Sequence, residues 1–148
     1  MDYLNFIDNI YEVPKDLREA RIKEYSEALA LQDNLYDFIE SYSHGMKQKL
    51  AVIGVLIYEP KVWILDEPLV GLDPKSAFTL KEIMKKHAEK GNIVFFSSHI
   101  LEVVEKLCDR IGIIRKGELV TIGSIKEIKE AFKDESLEDI VLEIIDNE

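Results

Sequence analysis

Two short apolar segments of the 148-residue chain run into side chains that can do acid–base chemistry. Val62-Trp63-Ile64-Leu65 leads into Asp66-Glu67, and Ile93-Val94-Phe95-Phe96 leads into Ser97-Ser98-His99. A carboxylate at the end of a rigid strand is held firmly. Asp66 could therefore hold Mg²⁺ through a water, and Glu67 could orient or deprotonate an attacking water. Pro68 ends the strand and fixes the exit of the chain. Taken alone, apolar residues followed by Asp-Glu are common, and a strand with an acidic turn after it is the better explanation. A lone His at a strand end is equally ordinary.

A third candidate is the start of a helix at Ser43-His44-Gly45-Met46-Lys47-Gln48-Lys49. Ser43 can cap that helix, Gly45 permits close backbone approach, and the unpaired N–H groups at a helix start suit a phosphate. A Ser-capped amphipathic helix with no ligand fits the same residues. Leu69-Val70-Gly71-Leu72-Asp73-Pro74 reads as a strand-to-helix loop with Asp73 as the cap. His44 and His87 on their own read as surface or capping residues, His87 lying near the apolar face of its helix.

These candidates need elements to position them. Residues 1–58 read as helical, and the rest alternates strands with helices. The first helix covers 3–12 and is broken by Pro14. The second covers 15–31, with Leu17, Ile22, Tyr25, Ala28 and Leu29 near one face. The third covers 44–58, where Met46, Leu50, Ile53 and Ile57 keep a 3.6-residue period. Buried parallel strands are expected at 62–65 and 93–96. A helix from Asp73-Pro74 to Lys90 lies between them, stopped by Gly91. A helix at 101–107, strands at 110–115 and 119–122, and a helix opened by the Ser124…Glu127 capping box follow. The tail from Ser136 reads as a short acidic helix. Strand–helix–strand order implies a right-handed crossover, with ligands at the carboxyl ends of the strands. Asp66, Glu67 and His99 are therefore expected at one shared edge.

Composition narrows the class. Apolar residues make up 47% and charged residues 32%, as in a globular protein. The net charge of −10 speaks against nucleic acid as a partner. A single cysteine, Cys108, cannot form an internal disulfide and is expected to pack on an apolar helix face. Met1–Asn9 carries acidic residues and does not resemble a signal peptide. No apolar stretch approaches the roughly 20 residues that span a bilayer.

Singly weak, the motifs stand in one order at close spacing, and together they resemble the nucleotide-binding subunits of ABC transporters. "YSHGMKQKL" resembles that family's signature, "VWILDEP" its Walker B segment and "VGLDP" its D-loop. "SSHILEVVEKLCDRIGIIRKGELVTIGS" resembles its switch-histidine region and the hairpin after it. The match spans 40–124, is most similar to the multidrug and antibiotic exporters, and makes 1–40 similar to the helical subdomain before the signature.

The resemblance implies an α/β fold, a partial P-loop NTPase (RecA-like) parallel sheet with an N-terminal helical subdomain. It implies three segments: 1–58 ending in the signature helix, 59–132 as the Walker B and switch-histidine part of the core, and 133–148 as an acidic tail. It implies ATP and Mg²⁺, with Asp66 assisting the metal, Glu67 polarising water and His99 contacting the γ-phosphate. Ser43, His44 and Gly45 would meet ATP held by a second subunit, and Asp73 would belong to the loop coupling the two sites. His44 stands where the family's commonest form has Gly, which reduces backbone freedom there, and Met46 stands in place of Gln.

The expected partners are a membrane permease and a second ATPase subunit, in a homo- or heterodimer, without nucleic acid. The expected location is cytoplasmic, at the inner face of the membrane. The 148 residues hold no G-x-x-x-x-G-K-[ST] loop. Gly112 and Gly117 have its spacing, but Glu118-Leu119 follows them. Because phosphoryl transfer depends on positioning and charge neutralisation, negligible ATPase activity is expected of these residues alone. Exposed strand edges that could self-associate are also expected. Two other functions fit: a non-catalytic dimerisation or regulatory module, and a soluble ABC ATPase acting in DNA repair or translation.

Overall fold

The computed structural model describes residues 1–133 and 135–146, without the side chains of 145 and 146. Asp134, Asn147 and Glu148 of the acidic tail lie outside the described residues. The chain forms two compact units, Met1–Ser97 and the part from Ser98 onward.

The first unit opens with α1 (Asp2–Ile10) and α2 (Lys15–Ala28). Ala30, at φ 51°, turns the chain, so the second helix ends before the expected 31. Short 3₁₀ turns at Gln32–Asn34 and Ile39–Ser41 lead to α3 (His44–Tyr58). This helix buries Leu50, Val52, Ile53, Leu56 and Ile57. It packs on α1 and α2. Gly54 lets α1 come close, since a Cβ there would sit 3.2 Å from Tyr3 Cε1. Each buried Leu or Ile contributes about 1.5–3 kcal/mol, so the apolar face of α3 stabilises its contact with α1 and α2. Ile22 and Leu29 of the predicted apolar face are buried, whereas Leu17 is exposed.

Asp8 is fully buried on α1, with Arg18 Nε 3.8 Å away. Neither carboxylate oxygen has a hydrogen-bond partner. Burial pushes its pKa up, and Arg18 offsets this only in part. The unfolded chain therefore loses this proton first as pH rises, and stability falls between the unfolded value near 3.9 and the folded one. Asp8→Asn is expected to gain on wild type as pH is raised from about 4 to 7. Urea unfolding at both ends of that range checks it, and a pH-independent difference would contradict it.

The end of α3 is clamped. Glu59 takes the left-handed conformation, φ 50°, and its carboxylate accepts from Arg21 Nη2 and, at 2.5 Å, from Lys90 Nζ. Arg21 Nη1 donates to Ile57 O at 2.6 Å, satisfying a carbonyl the helix end leaves open. His87 Nε2 donates to Pro60 O at 2.7 Å, and its ring meets Trp63 edge-on at 5.6 Å. His87 is thus a buried packing residue instead of the surface or capping residue expected.

β1 (Val62–Leu65), α4 (Pro74–Glu89) and β2 (Ile93–Phe96) form the expected crossover. β1 and β2 are parallel, in register Val62↔Ile93 to Leu65↔Phe96. The expectation that both strands are buried fails on one face. Trp63 is 1% exposed on the covered side, but Val62, Ile64, Ile93 and Phe95 are 52%, 72%, 58% and 65% exposed. The physical reason is layering: successive side chains point to opposite faces, and no element of the first unit covers the second one.

In the second unit α5 (Leu101–Leu107) precedes an antiparallel pair, β3 (Arg110–Arg115) and β4 (Glu118–Ser124). Lys116 and Gly117 both have positive φ, as a tight hairpin of matched twist requires. The Gly112–Gly117 spacing is therefore that of a hairpin. The Ser124–Glu127 capping box forms and opens α6 (Ile125–Ala131). With α7 (Leu137–Asp146), it closes a small core of Ile111, Ile128, Leu137, Ile140 and Ile144. Cys108 packs against that core from an extended residue just past α5, not from a helix face.

Candidate functional site

The parallel pair delivers its polar ends together because the register is fixed by the backbone. Ser97 N donates to Leu65 O at 3.0 Å, which sets Ser97 beside Asp66. The Ser97 hydroxyl then donates to Asp66 Oδ1 at 2.5 Å and accepts from Glu67 N–H at 3.0 Å. One small side chain thereby fixes a carboxylate and the backbone of its neighbour. Glu67 is held at φ 43°, in the left-handed region. For a residue with a Cβ this costs on the order of 1 kcal/mol or more and persists only when surroundings over-determine it.

Asp66 is exposed and Glu67 half-buried. Two hard carboxylates do not make a full metal site, and no cluster of three or more His, Cys, Asp or Glu exists among the described residues. The donor set suits Mg²⁺, which keeps several waters and takes one or two carboxylates together with substrate phosphates.

The start of α3 lies against the loop that follows Glu67. Ser43 is the N-cap and accepts from Met46 N at 3.2 Å, as its position predicts, which leaves the hydroxyl proton for donation. Ser43 and His44 are exposed. His44 adopts helical backbone, so the side chain that replaces the family's Gly is accommodated without strain. A Cβ on Gly45 would lie 2.5 Å from Gly71 O, and one on Gly71 would lie 2.7 Å from His44 Cδ2. Gly71 has φ 78°. The two glycines therefore let helix start and loop meet backbone to backbone.

Asp73 caps α4, accepting from Ser76 N at 2.9 Å and Ser76 Oγ at 2.6 Å. It also pairs with Lys49 Nζ at 3.0 Å. The Ser76 hydroxyl, then the Ser76 backbone N–H and Lys49, hold its carboxyl well below the usual range. Lys49 thus ties α3 to α4, a role the sequence reading did not assign. From sequence, Ser97 is marked only as a strand end. Its signal is a small hydroxyl directly after the strand that pairs with β1.

Asp66, Glu67, Ser43, His44, Gly45 and Asp73 all belong to the first unit, and His99 belongs to the second, where it is exposed.

The model of the AAA-domain family, whose description also names the AbiEii toxin of type IV toxin–antitoxin systems, matches residues 4–105. The chain is 34% identical over 146 residues to the ABC-type transporter ATP-binding protein EcsA of Bacillus subtilis, covering 97% of this chain and 59% of that protein. It is 39% identical over 121 residues to the linearmycin resistance ATP-binding protein LnrL of the same organism, covering 82% and 39%. A solved structure of an ATP-binding subunit of an ABC transporter superposes with a TM-score of 0.93 at 29% identity, covering 97% of this chain and 61% of that one. The fold is thus the mixed α/β architecture of P-loop NTPases of the ABC kind, with its parallel strands and helical part. The chain spans between about a third and three fifths of the length of the curated relatives it matches.

Proposed function

Since the chain belongs to the AAA-domain family and matches ABC-transporter ATP-binding proteins in sequence and fold, we propose that it is part of an ATPase subunit that powers export through a membrane permease. The observation that carries this reading is the turn after β1, where Ser97 fixes Asp66 and the backbone of Glu67 at the carboxyl end of a parallel strand pair. Glu67 orients or deprotonates the water that attacks the γ-phosphate of ATP. Asp66 assists Mg²⁺, which when bound neutralises phosphate charge. His99 contacts the γ-phosphate. Ser43, His44 and Gly45 offer a helix start, a hydroxyl and an imidazole to ATP held by a second ATPase subunit. Asp73, tied to Lys49, links that helix to the loop between the two sites.

The 148 residues contain no glycine-rich phosphate loop, so nucleotide binding at Glu67 depends on such a loop from elsewhere. No helix among the described residues is long and apolar enough to cross a membrane. In this reading the permease places the subunit at the cytoplasmic face of the membrane. The domain division at 58 and 132 follows the same reading. An interaction module without catalysis is the second reading. It draws on the bare apolar face of Val62, Ile64, Ile93 and Phe95 and on the open edges of a two-stranded sheet, which suit self-association.

Complementation in trans separates the two. The chain is mixed with a complete ATP-binding subunit whose own signature serine and glycine have been replaced. MgATP hydrolysis is expected to appear only in the mixture and to be lost again with Ser43→Ala in this chain. No hydrolysis in the mixture, with the two proteins co-eluting, would favour the non-catalytic module.

A further inference from the structure

Gln48 sits on the half-buried side of α3, one turn in from the start of the helix. Its side-chain amide donates from Nε2 to the carbonyl oxygen of Glu67 at 3.3 Å, across 19 residues of sequence. The carbonyl it engages belongs to the residue whose backbone is in the left-handed region at φ 43°. The other side of the same peptide unit pair is held by Ser97, which accepts from Glu67 N–H.

We propose that Gln48 is a positioning residue: by holding the Glu67 carbonyl it keeps the carboxylate-bearing turn in its left-handed conformation and ties it to the register of α3. A balance of small energies sets the conformation of this turn. A left-handed Glu is unfavourable on its own. A hydrogen bond on the N–H from β2's end and one on the C=O from α3 each offset that cost, and each removes freedom that the turn would otherwise have. Remove the second bond and Glu67 can relax toward ordinary backbone, moving its carboxylate while β1 stays in place. Lys49, the next residue, pairs with Asp73. Neighbouring residues of α3 therefore hold both ends of the loop 67–73, and a displacement of α3 would reach Glu67 through Gln48. The inference deepens the catalytic reading of Glu67, but the contact itself needs no nucleotide, so it can be tested separately.

The test uses the full chain, isotopically labelled, without nucleotide. Gln48→Met keeps length and volume but has no donor; Gln48→Lys restores a donor of similar reach. The readouts are the Glu67 backbone shifts, its HN–Hα coupling and the exchange rate of its amide. Gln48→Met is expected to shift the Glu67 carbonyl, move the coupling away from its wild-type value and speed exchange roughly tenfold, in line with the loss of one hydrogen bond. Gln48→Lys is expected to recover most of this. The Ile93 amide, bonded to Lys61 O at 2.8 Å, reports that the strand pair is intact and should not change. Wild-type shifts, coupling and exchange at Glu67 in Gln48→Met, with Ile93 protected, would overturn the proposal. So would a failure of Lys to restore them. A chain that binds no ATP in any assembly would overturn the catalytic reading while leaving this result untouched.

Discussion

Gly45→Ala is expected to destabilise the protein by about 1–3 kcal/mol, the usual cost of forcing an extra carbon into a packed contact. The new Cβ would lie 2.5 Å from Gly71 O, and that atom is backbone, so no side-chain rotation relieves the clash. Either the start of α3 lifts or the loop 68–72 moves. Lifting would strain the Lys49–Asp73 pair and lengthen the Gln48 contact to Glu67, so the helix start and the carboxylate turn should be perturbed together. For a chain of this size each kcal/mol lowers Tm by about 2–4 °C. Thermal unfolding of the single variant gives the magnitude. Gly71→Ala should also destabilise, and more through its φ of 78° than through contact, since the His44 ring it would touch can rotate away. Because both substitutions disturb one contact, their costs should not add. An unchanged Tm in Gly45→Ala would mean that the backbone approach is looser than the structure has it.

The elements that position these residues could be read from the sequence where a local rule governs them. Four apolar residues before Asp66 make β1, Asp73-Pro74 opens α4, and Ser124 with Glu127 caps α6. Each rests on a few adjacent residues. The contacts that hold the site rest on pairs far apart in the chain. Ser97 reaches Asp66 across 31 residues, Gln48 reaches Glu67 across 19 and Lys90 reaches Glu59 across 31. No local pattern encodes such pairings. Nor does the residue type of Glu67 announce a left-handed backbone, which glycine or asparagine would have suggested. The exposed face of β1 and β2 is not legible in the sequence for a related reason. An apolar strand records that its residues suit two covered faces, not which element covers each.

Glu67→Gln is the substitution with the largest expected effect. The change keeps shape and removes the negative charge that, in the proposal, draws a proton from water. A positioned general base contributes roughly 10²–10⁴-fold to rate. In the proposal Glu67 takes this role, beside Asp66 at the carboxyl end of the parallel strand pair. The Ser97 hydroxyl donates to Asp66 Oδ1 and accepts from Glu67 N–H, and the Glu67 backbone is held at φ 43°. A segment carrying the phosphate loop G-x-x-x-x-G-K-[ST], joined ahead of Met1, provides an assembly in which turnover can be followed. Phosphate release and retained nucleotide are then measured for this assembly with and without Glu67→Gln. The account predicts that phosphate release falls by about two to four orders of magnitude while ATP stays bound. Turnover unaffected by the substitution, in an assembly that binds MgATP, would contradict it.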